Sequence, residues 1–462
     1  MSEVPEYLSD WITAQRWYGG KGRSPRFERI GGFDLDDPTG EARITIHLLL
    51  DRSAPAALYQ VPLTERTARF PAIDHALIEI TEDERGVIYL YDGPHDPACA
   101  SAILRLILDE GSVRPDELGV PARGRPASAD PPLSIRSSRV LSGEQSNTSI
   151  IFDTETRDGH PGVPVICKLF RTLHNGENPD VVLLDALTGA GSTVVPRSIG
   201  HIDGQWRDHG EPSGVAFGHL AFAQEFLPGV QDAWRVALRA AEDGEDFTDR
   251  ARTLGEATAD VHTTLAAALP TREATAAGIS GVIASMRQRF EQAAAEVPSI
   301  EHHREALRAV YERAEASVWP PMQRIHGDYH LGQVLAVPDR GWVVLDFEGE
   351  PMRPMSERSM EDSPLRDVAG MLRSFDYVAG SVSRSRPGVP VADWASAARR
   401  AFLDGYIARS GLDLRANRSL LDAFEIDKAL YEAVYEARNR PNWLSIPTAA
   451  IERLVERATA TA

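Results

Sequence analysis

Two polar clusters flanking one short apolar run constrain this chain more than any other feature. Gln323–Gln333 reads QRIHGDYHLGQ and Trp342–Glu350 reads WVVLDFEGE, inside a C-terminal half otherwise built of Ala-rich segments with helical spacing. The pattern predicts one β-like island, Gln333–Glu348, carrying acids at its end. Upstream the periodicity is of the opposite kind. Residues 27–92 are β-like, with strands predicted at Ala42–Leu50, Ala57–Leu63 and Gly86–Tyr91. A helical run, Pro97–Leu108, follows. Ser112–Ser134 is rich in Pro, Gly, Ala and charge and reads as a linker. A second β-rich stretch, Arg139–Phe170, leads to a helix near Asp180–Leu187 and strands through Phe226. The predicted organisation is α+β and bilobal: an N-terminal β-rich cap subdomain over 1–111, a linker over 112–134, a small nucleotide-binding lobe over 135–228 and a helical C-terminal lobe over 229–462.

The island points to phosphoryl transfer. That chemistry needs a carboxylate to orient and deprotonate an acceptor hydroxyl, and oxygen ligands that hold Mg²⁺ on nucleotide phosphates. Asp328, in a tight Gly-containing loop, suits the first role. Gln333, five residues on, offers a side-chain carbonyl to the metal. Asp346 at the end of the apolar strand supplies the main metal carboxylate, with Glu348 expected on the same strand face. His330 joins Asp328 as a candidate acceptor contact, whereas His326 is expected to pack beneath the loop.

The nucleotide side is read from the second β-rich stretch. Val165–Phe170 (VICKLF) is an apolar strand with one lysine, Lys168, which must find an anion, and nucleotide phosphates are a fitting one. The turn before it, Gly143–Ser149 (GEQSNTS), offers small residues and backbone N–H groups to phosphates, with Ser146, Asn147 and Thr148 as candidates. The end of LAFAQEFL, at Gln224, Glu225 and Phe226, is expected to meet adenine through its backbone. ATP and Mg²⁺ are therefore the expected cofactors.

Composition limits the partners. A net charge of −19 disfavours nucleic acid and anionic membranes. It also requires that a nucleotide be held by local basic groups and metal. No stretch approaches the roughly 20 apolar residues of a membrane span, and MSEVPEYLSDW lacks a signal peptide's basic and apolar regions. The two cysteines, Cys99 and Cys167, show no pairing or metal spacing. A cytoplasmic enzyme acting on a small molecule, as monomer or homodimer, is the expectation.

The set EQSNTS, ICKLF, NPD, HGDYHLGQVL, VLDFEGEP and SPLRDVAGMLRSFDY resembles the actinobacterial maltokinases and glucosamine kinases, within the group of aminoglycoside phosphotransferases and choline kinases. QRWYGGK at Gln15–Lys21 and YEAVYEARNRPNWLSIP at Tyr431–Pro447 extend the resemblance over nearly the whole chain. It implies a protein-kinase-like, aminoglycoside phosphotransferase-like fold with an N-terminal cap. It also implies Asp328 as catalytic base, Gln333 and Asp346 as Mg²⁺ ligands and Lys168 on the phosphates. One departure stands out. Maltokinases usually carry a glutamate after NPD that pairs with the lobe lysine, and Val182 stands there in this chain. The partner of Lys168 is left open between Asp180, Asp185 and none.

The acceptor wall is expected on the C-terminal helices. Phe424–Trp443 holds Glu425, Asp427, Glu432, Glu436, Arg438 and Trp443, and sugar sites combine carboxylates and guanidinium groups with an aromatic face. Glu425, Glu432, Arg438 and Trp443 are the candidates. Glu432 and Glu436 would repel as neighbours, so a cation, Arg440 or the substrate, is expected nearby. Arg366 and Asp367 are read as bracing the loop. The Tyr59–Thr64 segment (YQVPLT) resembles the glucosamine kinases, which makes glucosamine, phosphorylated at its 6-hydroxyl, the expected acceptor. Maltose, giving a 1-phosphate, is the alternative. A nucleotide-binding regulatory module without catalysis is the reading from another class.

Overall fold

The computed structural model describes residues 4–460 apart from 38, 54, 114–119, 128–133, 143–145, 157, 209, 351–352 and 415. The chain divides into two compact units: Met1–Asp185 with Pro196–Pro228, and Ala186–Val195 with Gly229–Ala462.

The first unit opens with α1 (Glu6–Ala14) and the antiparallel strands β1 (Phe27–Leu35), β2 (Arg43–Asp51), β3 (Ala57–Arg66), β4 (Leu77–Asp83) and β5 (Gly86–Asp92), ordered β1-β2-β3-β5-β4. Period-two alternation in β2 buries Ile44, Ile46 and Leu48. Leu8 and Ile12 of α1 close a core with Trp17, Tyr18, Tyr59, Val61 and Leu63. Helix α2 (Pro97–Leu108) begins at a proline, with the Asp96 side chain accepting the Ala98 N–H as N-cap. The same carboxylate binds Arg66 at 2.7 and 2.8 Å.

A second sheet holds β6 (Ser112–Val113), β7 (Ala122–Pro126), β8 (Ser134–Val140), β9 (Asn147–Glu155), β10 (Val165–Phe170), β12 (Ser198–Arg207) and β13 (Val215–Glu225), ordered β6-β7-β12-β13-β10-β9-β8. β11 (Thr172–Leu173) leaves it to pair with β3, and α3 (Pro179–Gly189) precedes β12. The expected linker over 112–134 is corrected in its described part. β7 is a paired strand beside β12, from Ala122↔Gly204 to Pro126↔Gly200. Its glycine serves packing: a Cβ on Gly124 would meet the Leu106 carbonyl at 1.7 Å. Residues 114–119 and 128–133 lie outside the described residues.

The two sheets are bonded to one another. Gln60 Nε2 donates to the Phe170 and Leu220 carbonyls at 3.1 and 2.9 Å. Arg171, fully buried, bonds Asp92 and Thr148 at 2.8 Å and lies over the Trp17 ring at 4.9 Å. Tyr59 accepts the Gly19 N–H. Within the Tyr59–Thr64 segment, Gln60 thus joins the two sheets, while Tyr59, Val61 and Leu63 pack in the core.

The second unit has a three-stranded sheet, β14 (Gln231–Asp232), β15 (Val334–Val337) and β16 (Gly341–Val344), among helices α4 (Ala233–Asp243), α5 (Thr248–Ala268), α6 (Ala276–Glu296), α7 (Arg304–Glu315), α8 (Met355–Arg358), α9 (Leu365–Ser385), α10 (Val391–Ser410), α11 (Arg418–Asn439) and α12 (Ser445–Ala460). The island is present but shorter than expected. β16 ends at Val344, because Asp346 has φ 63° and turns the chain out of the strand. Strand alternation therefore does not place Glu348 beside Asp346; a turn does.

Candidate active site

The acidic loop is held from below. Asp367 of α9 accepts the His326 N–H at 2.8 Å and the Gly327 N–H at 2.9 Å. His262 of α5 meets the same carboxylate at 3.0 Å, and His326 Nε2 donates to the Leu345 carbonyl at 2.8 Å. Burial raises the Asp367 pKa, but His262, His326 and the Gly327 N–H outweigh it and keep the group anionic. Gly327 has φ 84°, a conformation that costs a side-chain-bearing residue about 1 kcal/mol or more. The loop thereby presents Asp328, whose carboxylate receives Lys428 of α11 at 3.3 Å.

Lys428 also reaches Glu350 at 3.3 Å. Burial alone would depress its pKa, but Asp328 and Glu350 raise it, so the ammonium stays charged. Glu350, itself buried, is held ionised by Lys428 and Arg353. Neither Lys428 nor Glu350 stands out in the sequence. Glu350 lies within VLDFEGEP, one of the segments that carry the family resemblance, whereas Lys428 lies in none of them.

Gln333 and Asp346 come together as their spacing requires. Gln333 Nε2 donates to Asp346 Oδ2 at 2.9 Å, which leaves the Gln333 carbonyl oxygen as an acceptor. The carboxylates of Asp346 and Glu348 lie within 4.8 Å of each other. An amide oxygen and two carboxylates form an all-oxygen donor set, which fits Mg²⁺.

Beside the loop is a cavity of about 530 Å³, lined among others by His330, Lys428, Glu432, Glu436, Tyr377 and Trp443. Trp443 and Tyr377 are near-parallel, 18° apart, at 6.4 Å between ring centres. Arg373 bonds Glu432 twice, at 2.7 and 3.0 Å, both times on Oε2. No bond to Glu432 Oε1 occurs among the described residues. Burial raises the Glu432 pKa against the pull of Arg373 and Lys428. Glu436 takes Arg440 at 2.6 and 2.9 Å and the Tyr377 hydroxyl at 3.1 Å. The expected cation near the two glutamates is thus two arginines, one on each. Burial lowers the His330 pKa, so the ring stays neutral, and its Nδ1 accepts the Gly332 N–H at 3.0 Å.

Two expected acceptor residues are elsewhere. Glu425 is fully buried and binds Arg399 at 2.7 Å, with Arg457 at 3.5 Å. Burial raises its pKa, but the arginines drive it down to about 2. Glu425 lies two helical turns before Glu432, about 10 Å along the axis, and so meets α10 instead of the cavity. Arg438 is exposed and paired with Glu296. It sits on the opposite side of α11 from Glu436, whose i+4 neighbour Arg440 takes the expected role.

In the first unit, Lys168 stands on a central strand between β9 and β13. Its Nζ meets Asp180 at 2.7 Å, which supplies the partner that Val182 leaves open. Asp180 is placed by the NPD turn: Asn178 Oδ1 accepts the Asp180 N–H, and His219 Nδ1 accepts the Asn178 N–H, both at 2.9 Å. Asp185 instead bonds Ser198 and His201. Gly143, Glu144 and Gln145 lie outside the described residues. Ser146 is exposed and Asn147 half-buried, whereas Thr148 is buried and its hydroxyl accepts from Arg171. The Thr148 side chain is thereby corrected from a phosphate contact to a sheet brace. Of the backbone expected to meet adenine, two N–H groups are engaged within the protein. The Glu225 and Phe226 N–H groups donate to Arg197 and Pro164 carbonyls at 2.8 and 2.7 Å, and Gln224 is a paired, buried strand residue.

A family model described as "Phosphotransferase enzyme family" matches residues 138–421, well over half of the chain. The chain belongs to this phosphotransferase family. A second model, "Maltokinase N-terminal cap domain", matches residues 11–96 of this phosphotransferase. It is 30% identical over 349 residues to a protein named glucosamine kinase from Mycolicibacterium smegmatis (strain ATCC 700084 / mc(2)155), covering 71% of this chain and 82% of that one. It is 34% identical over 254 residues to the glucosamine kinase of Streptacidiphilus jiangxiensis, which is 51% of this chain and 58% of that protein, so the match spans little more than half of the relative's length. A solved structure of a glucosamine kinase in complex with glucosamine, ADP and inorganic phosphate superposes with a TM-score of 0.66 at 23% identity, covering 96% of this chain and 98% of that one. That likeness establishes a shared fold.

Proposed function

We propose that this protein transfers the γ-phosphate of ATP to the 6-hydroxyl of glucosamine. The observation that carries the reading is the cavity around Glu432: a carboxylate with one oxygen uncommitted, near-parallel aromatic rings, and Lys428 joining the cavity wall to Asp328. Glu432 Oε1 suits the C2 ammonium of glucosamine, because a charged hydrogen bond contributes about 1.5–3 kcal/mol. Trp443 and Tyr377 offer apolar faces to the sugar ring. The names of the two relatives point to the same acceptor.

Asp328 is the base in this account. Its carboxylate accepts the proton as the acceptor oxygen forms its bond to the γ-phosphorus and the bond to the ADP oxygen breaks. Lys428 keeps that carboxylate oriented. Bound Mg²⁺ would offset phosphate charge; Gln333, Asp346 and Glu348 would hold it. Lys168, fixed by Asp180, is assigned to the nucleotide phosphates. With the Glu225 and Phe226 N–H groups engaged, Leu227 carries the next donor along the chain for adenine.

A second acceptor, maltose, is favoured by the cap model at 11–96. ADP release on a panel of free sugars with ATP and Mg²⁺ tests the proposal. Turnover is expected with glucosamine. ATP binding without turnover on any sugar would instead assign a non-catalytic nucleotide-binding module.

A further inference from the structure

Helix α9 presents adjacent faces to two cavities. Tyr377 and Ser381 line the acceptor cavity, whereas Asp376 and Arg384 line another of about 470 Å³, walled also by the starts of α10 and α12. On a chain of net charge −19, this second lining carries three guanidinium groups, Arg384, Arg399 and Arg453, against one carboxylate, Asp376. Asp376 is buried at its base and accepts from Arg373, Arg399 and Arg453 at 2.5, 3.1 and 2.6 Å. Arg373 also binds Glu432 and Arg399 also binds Glu425, which leaves Asp376 as the carboxylate of Arg453. Arg384 meets no carboxylate among the described residues. It donates to the Asn442 carbonyl and lies over the Trp443 ring at 5.6 Å.

Hydroxyl groups add to the donors. Ser396 and Ser445 line the cavity, and α10 begins at Val391 with no side-chain cap for its first N–H groups. Asp393, in that first turn, faces a different cavity. Arginine forks match phosphate oxygens in geometry. The lining keeps a positive excess that favours an anion, because Arg384 meets no carboxylate among the described residues and Arg453 shares Asp376 with two other arginines. The volume exceeds what inorganic phosphate alone would fill and lies within the range of small-molecule sites, roughly 300–1,000 Å³.

We propose that this second cavity is a binding site for a phosphate monoester on a sugar-sized body. Arg384, Arg399 and Arg453 bind the phosphate, and Ser396 and Ser445 bond its oxygens. An occupant would sit two ion pairs from the acceptor cavity, because Arg373 joins Asp376 to Glu432. Binding itself does not depend on which sugar that neighbouring cavity accepts.

Titration calorimetry on the full nucleotide-free chain tests the site, with glucose 6-phosphate and inorganic phosphate as probes and glucose as control. Two substitutions on α12 are used: Arg453→Gln, and Ala449→Glu, which places a carboxylate at the mouth one turn from Arg453. Both positions are exposed, and unchanged unfolding midpoints establish that the variants fold. Glucose 6-phosphate is expected to bind, to lose about tenfold or more in affinity in both variants, and to be unaffected by glucose or by Glu432→Gln. Weaker binding of inorganic phosphate places the sugar body in the site, and equal binding assigns it to the phosphate group alone. Absence of binding by both probes at millimolar concentration would overturn the proposal, as would affinity unchanged in both α12 variants or lost through Glu432→Gln.

Discussion

Lys428 and Asp328 bring the account down to one pair of side chains. The ion pair orients the carboxylate proposed as general base, and neither group lies among the residues assigned to the nucleotide. Replacing Asp328 with Asn removes the proton acceptor while preserving shape, so kcat is expected to fall about 10²-fold or more with ATP affinity nearly intact. Steady-state kinetics and nucleotide titration measure the two quantities. Retention of more than about a tenth of the activity would contradict the assignment. Asp346→Ala concerns the metal instead. Calorimetry with and without Mg²⁺ is expected to show Mg·ATP binding weakened in the variant and its metal dependence lost. Equal metal dependence in both proteins would remove Asp346 from that role.

Among elements, the meeting of β12, β13 and α3 carries a titration that stability should report. His201 of β12 lies 3.2 Å from both Asp185 and Asp203, and His219 of β13 lies 3.7 Å from Asp203. Arg125 of β7 also holds Asp203. Burial opposes the charge on His201, but the two aspartates raise its pKa to about 9. Burial and charged His201 lower His219 to about 4. A raised folded-state pKa stabilises fully below the ordinary histidine value near 6.5 and is lost as pH climbs to 9. The depressed His219 costs stability as pH falls from about 6.5 to 4. The unfolding midpoint should therefore peak near pH 6.5, and the alkaline decline, at most about 3 kcal/mol, should flatten in His201→Gln. A pH series of thermal melts measures this. An unchanged alkaline limb in the variant would show that His201 is not its source.

The elements also show what a sequence can disclose. Helix α2 begins and ends where its periodicity places it, and β10 coincides with VICKLF. The loop carrying Asp328 and the meeting of Gln333 with Asp346 were legible because they lie on a short stretch of chain. Lys428 and Glu350 were not, since their role arises from a meeting 78 residues apart that periodicity does not encode. Glu425 and Glu432 share one stripe of α11, yet two turns of rise give them different neighbours, Arg399 and the cavity. The β7 segment read as linker because glycine chosen for close packing against α2 has the composition of a flexible joint.

For the whole molecule, a chain of net charge −19 repels nucleotides at long range, so the basic side chains it places in its interior acquire meaning. Lys168, Lys428 and Arg373 each answer a specific acid. No helix among the described residues is long and apolar enough to cross a membrane. The central claim is that the Glu432 cavity selects an aminosugar for phosphorylation. Comparison of kcat/KM for glucosamine, glucose, N-acetylglucosamine and maltose, with saturating ATP and Mg²⁺, tests it most directly. Glucosamine is expected to lead glucose by about 10–100-fold, the size of one charged hydrogen bond. N-acetylglucosamine, which has lost the charge and gained bulk, should be turned over hardly at all. A higher kcat/KM for maltose would contradict the account and assign the carboxylates to hydroxyl groups.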